Sequence, residues 1–367
     1  MFTGSYKAKD CIFLLKPIEN IEPTPIKEKE KLIQQGIHYS NFLTPEKLPS
    51  SKYLNLFYEL LNLNLDNFIN NLLILSKIVD SNYKNNNEIV IISLARAGTP
   101  IGILLKRILE KYLGRKVIHY SISIIRDRGI DENAIKYILS KHNEKDICFI
   151  DGWTGKGVIK QTLDYYISEF NKKYGTNIKS DLYVLNDISY QADYSASFED
   201  QLIPSSMLNS IISGLISRSI LNDKYIKAND FHGCKYFKEF EKEDISNTFI
   251  DFIMNEIKKR KINIDNIEIP KYIPYFEKRV KKGYVKNKIQ ELMKEYNVSD
   301  INYIKPGIGE ATRVLLRRIP DILIVKNKKN IYTQHLINLA KEKNIPVYEK
   351  ADLFFNVVSM IKDLKIN

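Results

Sequence analysis

ICFIDGWTGKG, residues 147–157, joins a continuous apolar run to an acid and then to a glycine-rich turn. Ile147 to Ile150 suit a buried parallel strand, and Val158 to Phe170 carry helical spacing, with Leu163, Tyr166, Ile167 and Phe170 on one face. Between them Gly152, Gly155 and Gly157 let the backbone approach a ligand, so that free N–H groups and the helix N-terminus can meet an anion. Asp151 falls at the carboxyl end of the strand, where open α/β sheets gather ligands. A carboxylate there suits sugar hydroxyls rather than phosphate, so acid and glycine loop together describe a ribose 5-phosphate site. The nucleotide-triphosphate loop G-x-x-x-x-G-K-[ST] is excluded, because Ile150 stands at its first glycine and Gly157 at its metal-binding hydroxyl. A glycine-rich turn without a ligand is the plainer alternative.

A second strand, Ile89 to Ser93, runs into Leu94-Ala95-Arg96-Ala97-Gly98-Thr99-Pro100 and a helix expected from about Ile101 to Tyr112. Pro100 fits a first helical turn and Gly98 a sharp reversal before it. Arg96 at that junction opposes the helix dipole, which argues for an anion beside it; a solvated arginine is the alternative. A third strand, His119 to Ser123, leads into the charged turn Arg126-Asp127-Arg128-Gly129 and a helix from Glu132.

With these residues the chain resembles the type I phosphoribosyltransferases, in the branch found beside tellurium-resistance stress genes. The resemblance implies an α/β fold, a mostly parallel sheet flanked by helices. It implies that Asp151 contacts ribose hydroxyls and that Thr154, Gly155, Lys156 and Gly157 hold the 5-phosphate of phosphoribosyl pyrophosphate. Arg96, Ala97 and Gly98 would form the pyrophosphate loop, and Arg126 and Arg128 would lie in a mobile lid over the leaving group, assisted by Mg²⁺ that Asp151 holds indirectly. Gly152 stands where the usual pattern has a second acid. The expected activity is phosphoribosyl transfer that forms, or in reverse cleaves, an N-glycosidic bond to a base, in the service of a stress-related ribonucleoside. Two alternatives are a phosphoribosyl-ligand sensor without turnover and a cysteine protease, since chains of this branch have also been labelled StiP-type cysteine proteases. Of Cys11, Cys148 and Cys234, only Cys234 lies in an expected loop, two residues after His232. No spacing suits zinc or a disulfide framework.

Asp200 to Ser219 is expected to form a helix, with Leu208, Ile211, Ile212, Leu215 and Ile216 on an apolar face and Asn209, Ser213 and Arg218 as candidate inward groups. Another helix is expected near Thr248 to Lys261. The extended connector that follows sets a domain boundary, giving an N-terminal domain over 1–267 and a second over 268–367. From Lys271 to Asn367 there are 20 Lys plus Arg against 10 Asp plus Glu, so this segment carries +10 of the total +12. A basic surplus confined to one domain points to RNA.

Short strands at Ile301 to Ile304, Asp321 to Val325 and Ile345 to Tyr348 alternate with helices at Ala311 to Arg318 and Tyr332 to Lys343, which predicts a small α-β-α sandwich. It looks like the Pelota-type RNA-binding domain, matched at Gly307-x-Gly309-Glu310-x-Thr312-Arg313 and again from Leu339 to Val347. The resemblance implies that the turn and helix start contact RNA, with Arg313, Arg317 and Arg318 on phosphate oxygens. Neither a signal peptide nor a membrane-length apolar run is present, so a cytoplasmic protein is expected.

Overall fold

The computed structural model describes residues 1–271, 273–317 and 320–361. The chain opens with two short strands, β1 (Ile12–Leu14) and β2 (Lys16–Pro17), and two helices, α1 (Ile26–Gln34) and α2 (Ser51–Asn82). Strands with intervening helices follow: β3 (Ile89–Ala95), α3 (Gly98–Leu113), β4 (Val117–Ile125), the hairpin strand β5 (Gly129–Ile130), α4 (Glu132–Leu139), β6 (Ile147–Thr154), α5 (Val158–Tyr174), β7 (Leu182–Asp187) and β8 (Tyr194–Ser197). The strands assemble in the order β1-β4-β3-β6-β7-β8, every pair parallel, with β5 antiparallel on β4.

Strand residues alternate between two apolar layers. Ile89, Ile91, Cys148 and Ile150 face α2, α3 and α6 (Ser246–Lys259), whereas Val90, Ile92, Ile147 and Phe149 face α4 and α5. Both faces are therefore covered, which is why these strands read as unbroken apolar runs. Close packing fixes the start of α3: a side chain at Gly98 would place its Cβ 2.5 Å from the Ile150 carbonyl oxygen. Glycine alone lets α3 lie this close to β6.

The segment 200–219 is not the expected helix. It forms short 3₁₀ turns at Pro204–Ser206 and Ser210–Ile212, and Gly214 and Leu215 adopt φ of +81° and +58°. Left-handed backbone at two successive residues breaks a right-handed helix, and Ser213 Oγ donates to the Asn209 carbonyl (2.8 Å) while the Gly214 N–H donates to Ser246 Oγ (2.9 Å). The chain then returns as β9 (Gly233–Cys234), parallel to β2.

After α6 come α7 (Tyr275–Glu295), β10 (Ile304–Pro306), α8 (Ile308–Arg317), β11 (Pro320–Val325), α9 (Gln334–Glu342), β12 (Val347–Glu349) and β13 (Val357–Ile361). Their four-stranded sheet runs β10-β13-β11-β12, with only β11 and β12 parallel. α7 buries Val285, Ile289 and Leu292 in one small core with Ile304, Ile324 and Met360. The other side of this unit is joined to the first: Ile308, Ala311, Leu315, Leu336 and Val357 belong to the same apolar cluster as Leu72, Ile150 and Ile203. Among the described residues no helix is long and apolar enough to cross a membrane.

Candidate functional site

Because β3, β4, β6 and β7 are parallel, their carboxyl ends share one edge, and the segments expected to carry chemistry meet there. Asp151 accepts the Gly152 N–H at 2.7 Å. Loss of water pushes its carboxyl up to about 7, with Arg313 opposing the shift. β6 continues past the acid, pairing Trp153 with Asn186 and Thr154 with Asp187. That extension turns Thr154 inward, where its hydroxyl donates to the buried Asp187 carboxylate. Asp187 also accepts the Gln191 and Ala192 N–H groups at 2.9 and 2.8 Å.

The expected phosphate loop is thus engaged within the protein. Thr154 serves Asp187, and the Lys156 ammonium donates to the carbonyls of Ile301 (2.8 Å) and Ile304 (3.3 Å). Burial depresses Lys156 to about 8. Gly155 lies under Glu310, whose Cγ would be 3.8 Å from a Cβ there, and Gly157, at φ +81°, lies against Gln191. Arg96 is committed too: its Nη1 donates to Glu46 Oε1 (2.5 Å) and to the Ile216 carbonyl (2.9 Å). Glu46 supplies the negative charge that the sequence required beside Arg96. Ala97 leads into α3, and Gly98 is occupied by packing against β6.

Arg126 to Arg128 form a tight hairpin turn between β4 and β5, with Asp127 at φ +63°. Arg126 is exposed, its N–H donating to the Tyr39 hydroxyl (3.0 Å), while Arg128 Nη1 donates to the Leu221 carbonyl (2.9 Å). Asp151 has no second carboxylate beside it in the loop, and among the described residues no group of three or more His, Cys, Asp or Glu is placed to hold a metal.

The expected RNA turn faces this same edge. Gly307, at φ +88°, precedes α8, whose first N–H, from Ile308, donates to Asp200 Oδ1 at 2.7 Å; the other Asp200 oxygen accepts the Asn356 N–H at 2.9 Å. Thr312 is buried, donating to the Ile308 carbonyl (2.7 Å) and bonded to His335 Nε2 (2.9 Å). The Arg313 guanidinium lies 5.5 Å from the Trp153 ring centre and donates to the Ser206 carbonyl at 3.4 Å. Gly309 and Glu310 are half-buried, Arg317 ends α8, and Arg318 lies outside the described residues.

All three thiols are buried, Cys11, Cys148 and Cys234 being 1%, 0% and 0% exposed, and burial pushes each above its ordinary range. His232 near Cys234 is half-buried, with Nδ1 2.8 Å from Ser123 Oγ and its backbone N–H on Asp131 Oδ2 (2.5 Å). Burial lowers the His232 pKa, Asp131 raises it and Arg128 lowers it, in that order of size. Among the described residues no thiol is hydrogen-bonded to a histidine. Ser123 and Asp131 were not singled out by sequence; Asp131 carried the one readable signal, an acid capping the helix that starts at Glu132, where it accepts the Ala134 N–H at 3.0 Å.

Residues 4–254 match the model of a family described as "Tellurite-like stress resistance cysteine protease StiP". The chain belongs to the StiP family. A StiP relative from Acinetobacter baylyi, described as "Cysteine protease StiP", is 36% identical over 374 residues, covering 99% of this chain and 95% of the relative. Residues 284–363 of this StiP-family chain match the Pelota RNA-binding domain. A solved structure titled as an analysis of an invariant aspartic acid in HPRTs, an asparagine mutant, overlays with a TM-score of 0.28 and 14% identity, covering 49% of this chain and 93% of that one. A likeness that loose carries no argument. The expectation of phosphoribosyl transfer is therefore corrected: the family and its full-length relative are named for cysteine proteolysis, and Arg96, Thr154 and Lys156 are bonded within the protein.

Proposed function

We propose that this protein is a cysteine-dependent peptide hydrolase of the StiP type, comprising a hydrolase domain over 1–267 and an RNA-binding domain over 268–367. The observation that carries the reading is the 36% identity to the Acinetobacter baylyi StiP protease across 99% of this chain. Cys234 is the proposed nucleophile and His232 its base. Cys148 is locked in the middle of a parallel sheet and Cys11 directly precedes the edge strand β1, whereas Cys234 belongs to the two-residue strand β9, which lies between the two-residue β2 and an antiparallel bridge from Gly233 to Ile220. Parting β9 from β2 and from the Ser217 to Ile220 segment would bring water and the half-buried His232 to the sulfur.

The described arrangement is then the resting one. A buried thiol is a poor nucleophile because the reactive species is the thiolate. On uncovering, His232 takes the Cys234 proton, the sulfur attacks the peptide carbonyl, and the proton passes to the leaving amine. Water then cleaves the thioester and frees the acid and the thiol. Asp131, bound to the His232 main chain, positions the base.

The test is peptide hydrolysis by the full chain with each cysteine replaced in turn. Cys234→Ala is expected to abolish turnover, while Cys148→Ala and Cys11→Ala keep at least a tenth of it. Full activity in Cys234→Ala removes this assignment.

A further inference from the structure

RNA must meet a surface that is open, and the turn expected to receive it is closed. Asp200 already fills the anion position at the start of α8, Thr312 is buried, and Arg313 is turned onto Trp153. A second cationic surface is open. On α7 the buried stripe of Val285, Ile289 and Leu292 is opposed by a stripe containing Phe276 and Val280, 77% and 56% exposed, with Tyr275 and Tyr284 beside it at 75% and 51%. Tyr284 meets the Phe354 ring edge-on (5.6 Å), whereas Tyr275 and Phe276 make no ring contact among the described residues.

Between them stand Arg279, Lys282 and Lys286, all exposed, and none pairs with an acid among the described residues. Gly283 lies on the same outer face with nothing within 4 Å of where a Cβ would be. Glycine weakens a helix interior, and packing does not demand it at this position. What it leaves is a flat stretch of backbone between Phe276 and Tyr284 that a planar group can approach closely.

We infer that the outer face of α7 binds single-stranded RNA, with bases stacked on Phe276 and Tyr275 and the backbone phosphates on Arg279, Lys282 and Lys286. Cations interleaved with aromatics are the chemistry of strand binding without sequence preference, since every base offers a ring face and every nucleotide a phosphate. A folded duplex presents its phosphates but not its ring faces, so single strands are favoured. The Pelota match begins at residue 284, in the middle of this helix, so the surface extends RNA contact to about two and a half turns of helix outside that match.

The experiment is fluorescence anisotropy of a labelled mixed-sequence single-stranded RNA of about 12 nucleotides with the full chain, across a salt series. Tyr275→Ala with Phe276→Ala is expected to weaken binding by at least roughly tenfold. Arg279→Gln with Lys282→Gln and Lys286→Gln is expected to flatten the salt dependence by about two to three phosphate contacts. Arg313→Ala is expected to stay within about twofold of the parent on this account. In the unaltered protein, bound RNA should protect Lys282 and Lys286 from acylation, a readout that does not depend on any variant folding. The inference is overturned if Arg313→Ala loses RNA while the α7 variants keep it, or if the lysines stay reactive in the complex. It is equally overturned if the α7 variants lose only adhesion to anionic phospholipid vesicles or only self-association in sedimentation, with RNA affinity unchanged.

Discussion

Asp151 shows how one residue's neighbours decide its chemistry. Its carboxyl, pushed up to about 7 by loss of water, holds a proton in the folded chain over a range where an unfolded aspartate, near 3.8, has released it. The folded state therefore binds more protons between about pH 4 and pH 7, so Asp151 lowers stability progressively as pH rises through that window. Asp151→Asn is expected to melt above the parent at pH 8 and level with it near pH 4, measured as the difference in Tm at each pH. Asp200, raised to about 6 by burial, follows the same sign over a narrower window. Thr154 marks the limit of local reading. The sequence rightly places Asp151 on the sheet edge, but whether Thr154 faces a loop or the core turns on β6 continuing to Thr154, and the pairing with Asp187, 33 residues away, decides that.

Elements with one unbroken signal were legible: β3 and β6 from apolar runs, α3 and α5 from their glycine-flanked helical spacing, and the alternation in the C-terminal unit. α2 escaped reading although it is the 32-residue helix Ser51–Asn82, because asparagines at Asn62, Asn64, Asn67, Asn70 and Asn71 mask its apolar face. Two of them are used inside: Asn64 donates to the Leu60 carbonyl (2.8 Å) and Asn71 to Asn186 Oδ1 (3.1 Å). The helix begins with Ser50, whose hydroxyl accepts the Tyr53 N–H at 3.3 Å. Ser50→Ala is expected to cost about 1 kcal/mol in urea unfolding. Gly98→Ala is the harsher change, because its Cβ would lie 2.5 Å from the Ile150 carbonyl oxygen and α3 would have to lift from β6. A loss of about 1–3 kcal/mol is expected for that overpacking, and a value near zero would mean that α3 can shift freely.

At the scale of the whole molecule, the two sheets share one apolar core and Asp200 locks the C-terminal unit in place through the N–H groups of Ile308 and Asn356. None of this was legible, because Asp200 meets Ile308 and Asn356 across more than 100 positions, and its own segment reads as a helix. Asp200→Ala would leave those buried donors without an acceptor, and a loss of about 1–3 kcal/mol is expected, with faster proteolysis in the connector around 262–274. The same docking places the segment 301–310 over the loop at 151–157. The most direct test of the hydrolase account is site mapping by mass spectrometry after brief treatment of the native full chain with a peptide-based thiol alkylator. The account predicts one modified residue, Cys234, with activity lost in proportion to its labelling. Complete alkylation of Cys234 with peptide hydrolysis undiminished would contradict it.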